Sequence, residues 1–129
     1  MKKLTTQRQA MLDMINQSNT HWDAELLARA LNDAGYSIGI ATIYRGLTAL
    51  EEAGLIHAIH LGDKKRYERS DKAHHDHLIC RACGKIEEFY EPQIEQCQKQ
   101  VADAHQFLMQ GHQLLIFGMC DGCVQQGEG

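Results

Sequence analysis

The sequence predicts an α+β chain in two parts: an N-terminal winged helix-turn-helix domain over residues 1–70 and a small α/β domain over residues 71–129. Three observations predict it. Three short amphipathic helical patterns, punctuated by glycines and followed by a basic turn-rich strand pair, fill the first part. Two CxxC pairs, Cys80-Arg-Ala-Cys83 and Cys120-Asp-Gly-Cys123, stand in the second, with His74-His75-Asp76-His77 immediately before the first pair. Charge also divides the chain. Residues 1–70 carry nine Lys/Arg against eight Asp/Glu and residues 71–129 four against nine, so the net charge of −4 comes from the metal-rich half.

Ala10, Met11, Met14 and Ile15 place an apolar stripe on a first helix over residues 5–17, with a threonine available as N-cap. A second helix follows Asp23, an N-cap residue, through Leu26, Leu27, Ala30 and Leu31, and stops near Gly35. After Tyr36-Ser37-Ile38-Gly39, a third helix puts Ile40, Ile43, Leu47 and Leu50 on one face and ends at Gly54. Its opposite face holds Thr42, Tyr44, Arg45 and Thr48. These side chains suit bonding phosphates, touching a thymine methyl and reading a guanine edge. Ile56-His57-Ala58-Ile59-His60 and Arg66-Tyr67-Glu68-Arg69 then flank Gly62-Asp63-Lys64-Lys65, a basic strand pair. Three helices and a basic hairpin describe a winged helix. Its lysines, Lys64 and Lys65, would meet a nucleic-acid backbone with mostly sequence-independent, salt-sensitive affinity.

Around Ser70-Asp71-Lys72-Ala73 the character changes without a proline- or serine-rich linker. His77-Leu78-Ile79-Cys80 and Lys85-Ile86-Glu87-Glu88-Phe89 read as strands around a Cys-x-x-Cys-Gly knuckle. A helix begins near Pro92 and carries Ile94, Val101 and Ala102. Residues 113–118 form a short apolar strand that delivers Cys120 and Cys123, and the tail after Val124 looks frayed. Each CxxC lets two sulfurs reach one ion, and two such turns complete a closed structural zinc site. The 36 residues between Cys83 and Cys120 exceed the usual zinc-ribbon spacing, so the helix is an insertion that folds back. A redox pair would need a CxxC at a helix N-terminus beside a βαβ pattern, a setting the sequence assigns to neither pair.

Alternate side chains of a strand share a face, so His75 and His77 are expected to point one way and His74 and Asp76 the other. That alternation proposes two further sites, each completed by residues from elsewhere. A chain of 129 residues buries a modest core, for which a metal is a common staple. No apolar run is long enough to cross a bilayer, and Met1-Lys2-Lys3-Leu4-Thr5-Thr6-Gln7 lacks the apolar stretch of a secretory signal, so a cytoplasmic protein is expected. There, paired cysteines suit metal better than disulfides, and Cys97 reads as a half-buried helix residue. His57, His60 and His105 read as exposed histidines without a matching partner. Neither H-x-E with P-C-x-x-C nor H-E-x-x-H occurs, so no metalloenzyme signature supports catalysis.

The motifs Ile40-Ala41-Thr42-Ile43-Tyr44-Arg45, His74-His75-Asp76-His77-Leu78-Ile79-Cys80, Cys83-Gly84-Lys85 and the Cys120/Cys123 pair resemble the ferric uptake regulator family across nearly the full chain. The resemblance implies a dimeric, metal-dependent transcriptional repressor with an N-terminal winged helix and a C-terminal dimerisation domain. It implies structural Zn(II) on Cys80, Cys83, Cys120 and Cys123, and a regulatory site bridging the domains on His21, Glu68, His75 and His77, with Glu88 close by. It implies a further site on His74, Asp76, Glu95 and His112. Base contact falls on Tyr44 and Arg45, and a minor-groove basic arm corresponds roughly to Lys3. The implied partners are a double-stranded A/T-rich inverted-repeat operator and a second copy of the chain, with a tetramer as an alternative.

His/carboxylate ligation suits Fe(II), Mn(II) or Zn(II). Zinc-sensing relatives tend to place a cysteine near the position of Glu68, and peroxide-sensing relatives an aspartate near that of Glu88. Glutamate at both makes Fe(II) the expected regulatory metal and iron-uptake genes the expected targets. The alternatives are zinc, manganese or peroxide sensing in the same family, or a structural zinc interaction module.

Overall fold

In the computed structural model, which describes residues 3–127, the first helix opens where Thr5 Oγ1 accepts the Arg8 N–H at 3.1 Å. This cap starts α1, Thr6–Asn16. Asp23 does the same for α2, Ala24–Asp33, accepting the Leu26 N–H at 2.7 Å. Gly35, at φ +98°, takes the left-handed conformation that lets the chain leave α2 and turn into α3, Ile40–Glu52. The apolar stripes meet in one core in which Met11, Ile15, Leu27, Leu31, Ile43, Leu47 and Leu50 are fully buried. Ile40 departs from the expected face. It is the first residue of α3 and stays 45% exposed, while Ile38 before it and Ile43 one turn after it are buried in the core. Gly46 allows close approach of α1 to α3: a Cβ there would lie 2.6 Å from the Met11 Sδ.

Strands β1, Ile56–Leu61, and β2, Lys64–Arg69, form an antiparallel hairpin in which Leu61 pairs with Lys64. The turn is Gly62-Asp63, with Gly62 at φ +71°. The strands therefore run further toward the tip than the apolar pattern indicated, and Lys64 and Lys65 belong to β2. Trp22, just ahead of α2, bridges to Tyr67 of β2 through two backbone hydrogen bonds of 2.7 Å. Arg66 Nη1 donates to the His21 carbonyl at 3.0 Å beside them. The approach to the helix-turn-helix is thus fastened to the wing.

The chain divides into two compact units, Met1–Lys72 and Ala73–Gly129. In the second, β3, Asp76–Cys80, lies at the centre of a three-stranded sheet. β4, Ile86–Phe89, pairs with it antiparallel, and β5, Leu115–Gly118, pairs with it parallel on the other side. The connection to a parallel neighbour requires a crossover, and α4, Pro92–Ala104, lies on it with Pro92 at its start. No residue of α4 is buried. A short helix, α5, Asp121–Gln125, follows β5, with Cys120 as its N-cap; it ends one residue after Val124, and the last two residues of the tail lie outside the described residues.

Leu47 is inaccessible to solvent. Leu47→Ala is expected to cost about 2–5 kcal/mol in urea unfolding of the full chain, through lost transfer energy and the cavity left behind. A cost below about 1 kcal/mol would place Leu47 outside the core.

Candidate metal centres and DNA-facing surface

Cys80 ends β3, Cys83 lies in the turn after it, Cys120 caps α5 and Cys123 lies within α5. The parallel pairing of β3 with β5 brings the two motifs together. Cys80 and Cys123 sulfurs lie 3.8 Å apart, as do those of Cys83 and Cys120, and all four fall within 4.8 Å of one another. Tetrahedral zinc with bonds of about 2.3 Å sets its sulfurs about 3.8 Å apart, so the cluster fits that ion. The backbone N–H groups of Cys120 and Cys83 donate to Cys80 Sγ at 3.3 and 3.4 Å, and these bonds draw its thiol down to about 6. The Cys123 thiol is pushed up, first by its hydrogen bond to Cys120 and then by burial. A divalent cation at the centre of the four sulfurs would favour the thiolate form of all of them.

Cys120-Asp-Gly-Cys123 does stand at a helix start, contrary to the sequence reading. The close sulfur contacts nevertheless cross between the two motifs, an arrangement that suits one ion shared by both rather than a redox pair within either. Cys97 is exposed on α4, not half-buried.

A second cluster joins β3 to α4 and the segment before β5. His74 Nε2 lies 2.7 Å from Glu95 Oε1 and 3.0 Å from His112 Nε2, and His112 Nε2 lies 3.3 Å from Asp76 Oδ1. Two imidazole nitrogens and two carboxylates converge within 4.8 Å. Asp76 is 1% exposed, and its Oδ2 has no hydrogen-bond partner among the described residues. A carboxylate buried this way needs a cation, and the donor set fits a borderline divalent metal.

In the first unit, His21 Nε2 lies 3.0 Å from Glu68 Oε2, with Glu68 completely buried. Lys72 Nζ lies 3.1 Å from the same oxygen. The tie between Trp22 and Tyr67 explains the meeting of two residues so distant in sequence, since each is adjacent to one partner of that bridge. In the second unit, the His75 and His77 rings stand 4.8 Å apart, and His75 Nε2 lies 3.5 Å from Glu88 Oε2. Glu88 of β4 is the register partner of His77. The His75 Nδ1 is 2.8 Å from the Ala73 carbonyl, which only accepts, so Nδ1 carries the proton and the lone pair of the neutral ring is on Nε2, the nitrogen that could hold a metal.

On α3, Tyr44 is 55% exposed and Arg45 is exposed beside it, its Nη2 donating to Thr42 Oγ1 at 3.3 Å. Lys3, Lys64 and Lys65 are exposed as well. Sequence reasoning missed Glu51 at the end of α3, which accepts from Lys65 Nζ at 3.3 Å and lies 3.9 Å from His60 Nε2. His60 therefore has a partner after all. A carboxylate one helix away from a hairpin leaves no local spacing to find it by.

Cys80→Ser is expected to release zinc and lower the thermal midpoint by roughly 10 °C or more, whereas Cys97→Ser retains zinc and stays within about 2 °C. Equal behaviour of the two variants in a zinc-release and melting assay would contradict the four-sulfur assignment.

The ferric uptake regulator family model matches residues 2–117. A ferric uptake regulation protein of Campylobacter upsaliensis is 42% identical over 124 residues, covering 94% of this chain and 80% of the relative. Among solved structures, the iron-containing ferric uptake regulator of Francisella tularensis superposes with a TM-score of 0.88 at 34% identity, covering 95% of both chains. The Helicobacter pylori regulator, described as having three functional metal-binding sites, gives 0.86 at 32% identity over 95% of this chain and 82% of that one.

Proposed function

The chain belongs to the ferric uptake regulator family, and on that premise we propose that it is an iron-responsive transcriptional repressor. Fe(II) is the sensed ligand, held by His21 and Glu68 of the first unit together with His75, His77 and Glu88 of the second. The loaded dimer binds an A/T-rich inverted-repeat operator in the cytoplasm and controls iron-uptake genes. Among the described residues no helix is long and apolar enough to cross a membrane.

The observation that carries this reading is the pair His21 and Glu68, an imidazole and a fully buried carboxylate 3.0 Å apart in the same unit as the DNA-facing helix. Two donors do not fill the coordination shell of a divalent ion. His75, His77 and Glu88 supply further nitrogen and oxygen donors, and none of the five is a sulfur, as suits Fe(II) over a thiophilic ion. An ion that takes ligands from both units selects the arrangements in which both sets can reach it, and it shifts that equilibrium only by its differential affinity. The shift reaches the DNA surface through short connections. His21 precedes α2 by three residues, and Glu68 is part of the wing strand that Trp22 is bonded to.

In the dimer, two α3 helices at a fixed separation match half-sites about one helical turn, roughly 34 Å, apart. Arg45 and Tyr44 face base edges, Thr42 supports the Arg45 guanidinium, and Lys3, Lys64 and Lys65 meet phosphates. The pairing surface is the open face of α4 and the segment after it. Val101 is 59% exposed and Phe107 72%, an apolar area that a second copy would cover. Cys80, Cys83, Cys120 and Cys123 would hold Zn(II), which when bound would crosslink β3 to α5. His74, Asp76, Glu95 and His112 form an additional divalent site that steadies α4 against β3.

Anaerobic titration of an inverted-repeat duplex with zinc-loaded protein is expected to show operator binding with Fe(II) or Mn(II) and a loss of about tenfold or more with chelator. His21→Ala is expected to abolish that response while leaving the fold and the zinc intact. Metal-independent binding by the wild type would instead support a structural zinc interaction module.

A further inference from the structure

The proposed sensing site contains a cation of the protein's own. β2 ends at Arg69, and hydrogen bonds hold the three residues after it in a return. Arg69 Nε and Nη2 grip the two Asp71 carboxylate oxygens at 2.6 and 2.8 Å, and Ser70 Oγ donates to the Leu55 carbonyl at 3.1 Å. That return carries Lys72 back over the strand and places its Nζ 3.1 Å from Glu68 Oε2. The ammonium group is not a loose surface charge. The Lys72 side chain is 13% exposed and the Glu68 side chain 0%.

The contact falls on a particular atom. Glu68 Oε2 is also the oxygen that lies 3.0 Å from His21 Nε2. A divalent cation bound by the imidazole and this carboxylate would therefore sit against the ammonium, and two cations in a site so poorly solvated repel strongly. We propose that Lys72 is an intramolecular competitor for the sensed metal: its ammonium neutralises Glu68 in the metal-free protein and must withdraw before a divalent ion can use that carboxylate. The inference rests on His21 and Glu68 being regulatory ligands.

The chemistry of lysine suits this role. An ammonium group has three donors and no acceptor, so it satisfies the buried carboxylate but takes no imidazole lone pair. Its flexible four-carbon stem allows the head to leave for water, where it is strongly hydrated. A metal must offer more than charge to displace it, namely bonds to nitrogen that the ammonium cannot make. Lys72 thus raises the metal concentration at which the site fills, and it spares the metal-free protein an uncompensated buried carboxylate. It acts through Glu68, as a tuning residue rather than a ligand.

The test compares Mn(II) affinity, by chelator competition on the zinc-loaded full-length chain, for wild type, Lys72→Met, Lys72→Arg and His21→Ala. Lys72→Met keeps most of the apolar stem and removes the charge, and it is expected to bind Mn(II) about tenfold tighter or more. Lys72→Arg, which keeps the charge, is expected to stay near wild type. Without added Mn(II), Lys72→Met should melt below wild type, and Mn(II) should raise its midpoint by more than it raises that of wild type. If Lys72→Met binds Mn(II) no tighter than wild type while His21→Ala binds it much more weakly, the competitor role is wrong and the site stands. If His21→Ala binds as wild type does, the site itself is wrong, and the role of Lys72 falls with it.

Discussion

Successive side chains of an extended segment must leave on opposite sides, and this constraint organises the second unit. The segment leading into β3 sends His74 and Asp76 toward Glu95 and His112, and sends His75 and His77 toward Glu88. Its last residue, Cys80, meets three other sulfurs. Three donor clusters therefore share one short stretch of chain without sharing a donor. The partners come from β4, from the crossover helix, from the segments just before and after β5 and from the turn after β3, so the order β4-β3-β5 brings a different set of donors to each cluster. The sulfur cluster lies where β3 and β5 both end, and the nitrogen and oxygen donors lie at the other end of β3.

Composition then separates the tasks. Sulfur donors on two turns, one thiol already lowered to about 6 by backbone N–H groups, make a closed centre suited to a permanent ion. Imidazoles and carboxylates suit an ion that comes and goes with its supply. In the first unit the same logic applies with fewer residues. Glu68 is buried in the wing strand, and burial without a compensating cation is costly. Lys72 and His21 both approach its Oε2, one with an ammonium group and one with an imidazole nitrogen. On the proposed reading, a site whose ligand oxygen is already engaged would respond to metal over a threshold, and because Trp22 and Tyr67 fasten the approach to α2 onto β2, the response would reach both elements proposed to meet DNA.

The local features were legible in the sequence because their causes are local. Thr5 and Asp23 announce two helix starts through the oxygens they offer, Gly35 and Gly54 announce two exits, and strand alternation separates His74 from His75. The four-sulfur cluster was legible because CxxC spacing carries its own geometry. Features that depend on distant packing were not. Ile40 sits on the apolar stripe of α3 yet stays exposed, while Ile38 and Ile43 on either side of it are buried. Cys120 opens a five-residue helix too short to show periodicity. Cys97 lies on a helix with no covering layer in the monomer, so its exposure depends on what packs there. Glu51 and Lys72 reach their partners through a hairpin and a hydrogen-bonded return, and no motif encodes either. His21 and Glu68 were named through family resemblance alone, and the backbone bridge beside them supplies the physical reason they meet.

In the proposed division of labour, sulfur holds a permanent ion while nitrogen and oxygen hold the sensed one. X-ray absorption at the zinc and iron edges of anaerobic protein loaded with both metals reads the two shells separately. The expected result is a zinc shell of four sulfurs at about 2.3 Å and an iron shell with nitrogen and oxygen alone. Sulfur in the iron shell, or a zinc shell dominated by nitrogen and oxygen, would contradict it.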